Sequence, residues 1–137
     1  MAIEYFLRGD FDVDSTLRER LLGALGDDVR ALEPVGPRQV FVLASPLLWI
    51  AGSEAGGGRD STLHLRVIDK ERVMEATEQM VACVAAVLED LGGDEAELWL
   101  DEHVILRRKG DSVRLKDPGE WLFWNAERRR ILGMPRR

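Results

Sequence analysis

The hydrophobic positions change period several times along the chain, and each change marks an element. The longest regular stretch is 71–91. Val73, Thr77, Met80, Val81, Val84, Val87, Leu88 and Leu91 recur there at spacings of three and four, which sets them on one face of an α-helix. Asp69 is placed to cap its start, Glu71 puts negative charge in the first turn, and Gly92 can end it in the left-handed conformation. A helix of that length runs about 30 Å. Its apolar face needs a sheet to cover.

Period-two segments supply that sheet. In 3–7, Ile3, Tyr5 and Leu7 alternate with Glu4, Phe6 and Arg8, so one face is apolar and the other mixed. A first helix follows, with Asp14 or Ser15 as N-cap, capping-box spacing between Thr16 and Glu19, and Leu17, Leu21, Leu22 and Leu25 on its apolar face. Gly26 closes it. Residues 29–32 suggest a short strand, and 39–43 a β-branched and aromatic one. Ser45-Pro46 interrupts before 47–51, where the sheet continues after a bulge or tight turn. In 62–68, Leu63, Leu65 and Val67 face one way and His64, Arg66 and Ile68 the other. Beyond the long helix, 97–100 and 103–108 form a hairpin turning at Asp101-Glu102, and 112–115 adds a strand. The remainder, 120–137, reads as a short helical tail. The expected fold is α+β, one domain over 1–137. It has an antiparallel sheet of about six strands packed against two helices, in the order β-α-β-β-β-α-β-β-β.

Composition bounds this picture. The 137 residues are 45% hydrophobic and 32% charged, enough for one sizeable core in a soluble protein. No apolar run approaches the roughly 20 residues that span a bilayer. The stretch Met1-Ala2-Ile3-Glu4-Tyr5 lacks the basic-then-apolar order of a signal peptide, and the single Cys83 cannot form an internal disulfide. A cytoplasmic location is expected. The net charge of −6 is uneven: 1–102 carry 9 Lys/Arg against 21 Asp/Glu, whereas 103–137 carry 10 against 4. An acidic body steers basic partners and discourages nucleic acid, although acidic solvated faces also serve solubility alone.

Candidate chemistry is sparse. Asp10, Asp12 and Asp14 alternate like cation ligands. A Ca²⁺ loop counted from Asp10 needs glycine at its sixth position and glutamate at its twelfth, where Ser15 and Leu21 stand. A helix cap in an acidic loop is the better account. Gly56-Gly57-Gly58 lacks the Gly-Lys-Ser/Thr ending of a phosphate-binding loop. His64 and His103 have no partner at metal-site spacing, and no nucleophile elbow is present. Cys83 sits on the helix's apolar side as a small hydrophobe. No catalytic residue, metal ligand or cofactor is therefore assigned, and an enzyme is not expected. In the tail, Trp121, Phe123 and Trp124 precede Arg128-Arg129-Arg130. Aromatics beside arginines can hold nucleic acid. The competing reading docks the tryptophans on the core and leaves the arginines solvated or paired with acidic groups.

Several segments carry a resemblance. Met1-Ala2-Ile3-Glu4-Tyr5-Phe6-Leu7, Leu65-Arg66-Val67-Ile68-Asp69-Lys70 with the long helix after it, Asp94-Glu95-Ala96-Glu97-Leu98, His103-Val104-Ile105-Leu106-Arg107-Arg108 and Val113-Arg114-Leu115 resemble SitI-type immunity proteins, which neutralise polymorphic toxins delivered between bacterial cells. The resemblance covers most of the chain but not 34–58 or the tail. It implies a non-enzymatic inhibitor of one cognate protein toxin, and it carries over no binding residue. The acidic body fits a basic toxin and disfavours nucleic acid, and no membrane partner is expected. The candidate contacts are the loop residues Asp10, Asp12, Asp14, Asp101 and Glu102, with Trp49 or Trp99 as an aromatic anchor, although either tryptophan also suits a core. Two alternatives remain: a nucleic-acid-associated regulator using the basic tail, and a small enzyme with a carboxylate pair.

Overall fold

A computed structural model describes residues 2–54, 61–90, 95–119 and 122–134. The architecture is α+β with one antiparallel sheet, as the alternation predicts. Among the described residues the sheet has eight strands rather than about six. These are β1 (Glu4–Gly9), β2 (Arg30–Leu32), β3 (Gln39–Ala44), β4 (Leu48–Ser53), β5 (Ser61–Val67), β6 (Ala96–Leu100), β7 (His103–Lys109) and β8 (Ser112–Leu115). Their spatial order is β2-β3-β4-β5-β1-β6-β7-β8. The first strand is thus inserted between the two later hairpin systems, antiparallel to β5 on one side and β6 on the other. The short strand expected at 29–32 is β2, which has three residues, all exposed.

Among the described residues three α-helices accompany the sheet: α1 (Ser15–Leu25), α2 (Val73–Asp90) and the short α3 (Ala126–Ile131). Asp14 caps α1 by accepting from the Leu17 N–H at 2.9 Å. The long helix starts later than expected, because Lys70–Arg72 form a single 3-10 turn first. Asp69 still caps that turn, accepting from the Glu71 N–H at 3.1 Å. Its expected end at Leu91 and Gly92 lies outside the described residues.

Ala76, Met80, Val81, Cys83, Val84, Val87 and Leu88 of α2 are buried in one cluster with Leu17, Leu21 and Leu25 of α1. The strands contribute Tyr5, Leu7, Leu43, Leu48, Ile50, Leu63, Leu65 and Leu98 to it. Each such side chain contributes about 1.5–3 kcal/mol by leaving water. Thr77 is buried in the same face, its hydroxyl donating to the Val73 carbonyl at 2.8 Å.

Ser45-Pro46 is a hairpin turn between β3 and β4. The Ser45 hydroxyl oxygen accepts from the Leu47 and Leu48 N–H groups, and the hydroxyl donates to Gln79 Oε1 at 2.7 Å. Gln79 Nε2 in turn donates to the Leu25 carbonyl at the end of α1. One polar chain therefore joins a sheet turn to both large helices.

The first strand, expected over 3–7, runs on through Gly9, which pairs with Ser61 and Ala96. A Cβ there would lie 2.5 Å from the Glu95 carbonyl oxygen. Glycine is what lets the two backbones approach.

The tail docks on the helix-covered side. Trp124 is buried, with Nε1–H donating to the carbonyls of Ile105 (2.7 Å) and Lys116 (3.2 Å). Arg128 is also buried. It donates to Glu78 Oε1 at 2.9 Å and to the Phe123 carbonyl at 2.7 Å, and its guanidinium lies over the Phe123 ring. Arg129 donates to the Trp124 carbonyl, and Arg130 pairs with Glu127 at 2.6 Å. Docking of Trp124 and pairing of the arginines are what the structural reading of the tail expects. Trp121 lies outside the described residues.

Candidate functional site: the uncovered face of the sheet

With α1, α2 and α3 on one side, the other side of the sheet is covered by no described element. Strand alternation fixes what it presents. One cross-strand row runs Leu32, Val42, Ala51, His64, Phe6, Trp99 and Val104, each paired in register with the next. A second row runs Arg30, Ala44, Trp49, Arg66 and Glu4. A third runs Ser53, Thr62, Arg8, Glu97, Arg107 and Arg114. Val42, Ala44 and Ala51, on this face, are buried yet stand outside the core cluster.

The aromatic groups are contiguous. The Phe6 and His64 rings stack at 4.4 Å with 14° between their planes, and Trp49 meets His64 edge-on at 5.2 Å. The Arg8 guanidinium lies 5.7 Å from the Phe6 ring centre and 5.6 Å from that of Trp99. Arg8 thereby bridges the two rings. His64 also faces Glu4, with 3.1 Å between Nε2 and Oε1. Burial lowers the His64 pKa from its ordinary value, with Arg66 adding to the effect and Glu4 opposing it. Glu97 is taken by Arg107 at 2.6 Å.

A concavity of about 760 Å³ opens beside this row, with Arg8, Asp10, Thr62, Glu97, Trp99 and Arg107 among its walls. The Trp99 Nε1–H is buried and has no hydrogen-bond acceptor among the described residues. A smaller hollow of about 380 Å³ lies at Trp49, Arg66 and Ile68.

The expected contact residues divide. Trp49 and Trp99, far apart in sequence, share this face, joined through His64 and Phe6. Both are partly buried rather than core residues. Asp10 borders the same concavity as Trp99. Asp12 is exposed, and Asp14 is committed to capping α1. Asp101 and Glu102 form the exposed β6–β7 turn, where Asp101 takes a positive φ of 53°, a conformation that Asp tolerates better than most residues. The β1–β6 register places this turn at the end of β1 opposite to Asp10, roughly 20 Å away along the strand. The acidic residues therefore do not form one patch.

Phe6, Arg8, His64, Arg66 and Arg107 were not among the expected contacts. The signal for Phe6, Arg8, His64 and Arg66 was parity, each occupying the strand position opposite to the core leucines and valines, whereas Arg107 lies two residues after buried Ile105 and only the irregular β6–β7 register sets it opposite Glu97.

Elsewhere chemistry is scarce. Burial pushes the Cys83 thiol up to about 12, so it is no thiolate nucleophile at neutral pH. Burial likewise raises the Tyr5 pKa. Among the described residues, no group of three or more His, Cys, Asp or Glu side chains could hold a metal ion, and no helix is long and apolar enough to cross a membrane. No family model matches the chain, and neither a curated protein nor a solved structure matches it.

Proposed function

We propose that this chain is a non-enzymatic binding protein of the immunity type, which neutralises a cognate protein toxin in the cytoplasm by docking the uncovered face of its sheet on it. The observation that carries the reading is the contiguous aromatic row Trp49–His64–Phe6–Trp99 on a face with no described element over it. Large aromatic side chains and arginines are the groups that dominate binding energy at protein interfaces. The sequence resemblance to SitI-type immunity proteins supplies the class of partner. The tail does not favour the nucleic-acid alternative, since Arg128, Arg129 and Arg130 are each engaged within the molecule.

The test is co-expression with the product of a toxin gene adjacent to this one, read by growth rescue and co-purification. Rescue is expected with the parent chain and with Asp12→Ala. It should be lost in a Trp49→Ala/Trp99→Ala variant whose circular dichroism is unchanged. Absence of both complex and rescue for the parent chain would sink the proposal.

A further inference from the structure

We infer that the uncovered face receives an acidic patch of a partner protein, with Arg8 as the anchor for one of its carboxylates. This rests on the docking proposal and adds the sign of the partner's charge, which is opposite to the sign that the net charge of the chain suggests.

The three rows on this face hold five arginines and two glutamates, on a chain whose net charge is −6. Both glutamates are already engaged, Glu97 by Arg107 and Glu4 by His64. Arg8, Arg66 and Arg114 have no carboxylate partner among the described residues. Arg8 is the most constrained of them. Two rings flank its guanidinium, and its N–H groups, five in a fixed fork, have no acceptor among the described residues. It borders the same concavity as Trp99. An exposed guanidinium with no carboxylate partner among the described residues complements a carboxylate, which accepts its N–H groups through both oxygens.

Ring orientation separates a protein from a nucleic acid. Neighbouring strands lie about 4.8 Å apart. Rings on adjacent strands that stack at 4.4 Å, as Phe6 and His64 do, must stand upright with their faces turned to each other. Their edges then point outward, and aromatic edges carry the positive end of the quadrupole. A nucleobase needs an open ring face, whereas carboxylates and carbonyls suit edges. The acidic residues at both ends, Asp10 and Asp12 at one and Asp101 and Glu102 at the other, repel a continuous polyanion crossing the sheet. A compact acidic patch fits between them.

The test titrates the ¹⁵N-labelled full chain with a hexaglutamate peptide, a hexalysine peptide and a short oligothymidylate. Hexaglutamate should shift the amides of Phe6, Arg8 and His64 and the Trp99 indole N–H, with a response that weakens as salt rises. In an Arg8→Gln/Arg66→Gln variant with unchanged circular dichroism, affinity should fall by about tenfold or more. Hexalysine acting on this face, tighter binding of the oligonucleotide, self-association through the face, or unchanged affinity in the variant would each overturn the inference. The toxin assay keeps the two proposals apart. Rescue lost in the tryptophan variant but kept in Arg8→Glu/Arg66→Glu leaves the docking proposal standing and removes the charge inference. Hexaglutamate mapping to the face without any toxin rescue does the reverse.

Discussion

Replacing Arg128 by methionine should destabilise the protein by about 3 kcal/mol, and the size of the loss decides what the basic tail is for. The Arg128 side chain is only 6% exposed and its partner Glu78 is 29% exposed. Removing one member of a buried ion pair costs about 3–5 kcal/mol, because the other charge stays desolvated. Partial solvent access to Glu78 lowers that figure. Loss of the hydrogen bond to the Phe123 carbonyl and of the stacking over its ring, at 4.7 Å, adds about 1–2 kcal/mol. Methionine retains much of the apolar stem and recovers part of the total. With a urea m-value of about 2 kcal/mol/M, the midpoint should move down by about 1–2 M.

Arg130→Ala is the internal control. Its pair with Glu127 is 67% and 55% exposed, and water screens such an i,i+3 pair so that its removal should barely move the midpoint. Urea unfolding of both variants, with Glu78→Gln completing a double-mutant cycle, measures the contrast. A loss below about 0.5 kcal/mol for Arg128→Met would refute the assignment of Arg128 as a clasp between the tail and α2. Its guanidinium would then be available to an outside partner.

Three further outcomes follow from the same geometry. The lowered His64 pKa means that the unfolded chain binds more protons than the folded one between the folded value and the ordinary value near 6.5. This contribution to stability is therefore complete above about pH 6.5 and is lost as pH falls toward the folded value; urea midpoints across that range should show a slope that His64→Phe removes. Cys83 should resist a thiol reagent such as iodoacetamide at pH 8 and react only at the unfolding-limited rate, so rapid labelling of the native protein would contradict its burial. Gly9→Ala forces a Cβ against the Glu95 carbonyl oxygen and the Ala96 Cα, and should cost about 1–3 kcal/mol in urea unfolding; a neutral effect would mean that β1 and β6 separate at that end.

The sequence revealed which face each residue occupies far better than which strands are neighbours. Alternation in β1 and β5 marks Tyr5, Leu7, Leu63 and Leu65 as core, and they are buried. The same parity sends Phe6, Arg8, His64 and Arg66 outward. It also places Trp49, between Leu48 and Ile50, and Trp99, between Leu98 and Leu100, on the outward side. None of this shows that the two tryptophans belong to one surface. That depends on β1 sitting between β5 and β6, a pairing of segments more than fifty residues apart that no local pattern encodes. Had β6 paired with β8 or added at the β2 edge, Trp99 would face solvent far from Trp49. For the same reason the alternating acids at 10–14 and the turn at 101–102 looked equivalent in sequence, although strand direction sets them at opposite ends of the sheet.

The tail was opaque for a different reason. Arg128 belongs to a run of three arginines with no apolar periodicity, and a charged side chain announces its burial only through a partner, here Glu78, fifty residues earlier. Net charge misleads in the same way when it is summed along a chain: Arg8, Arg66, Arg107 and Arg114 come from four strands, and only the assembled sheet gathers them on one face of an acidic protein.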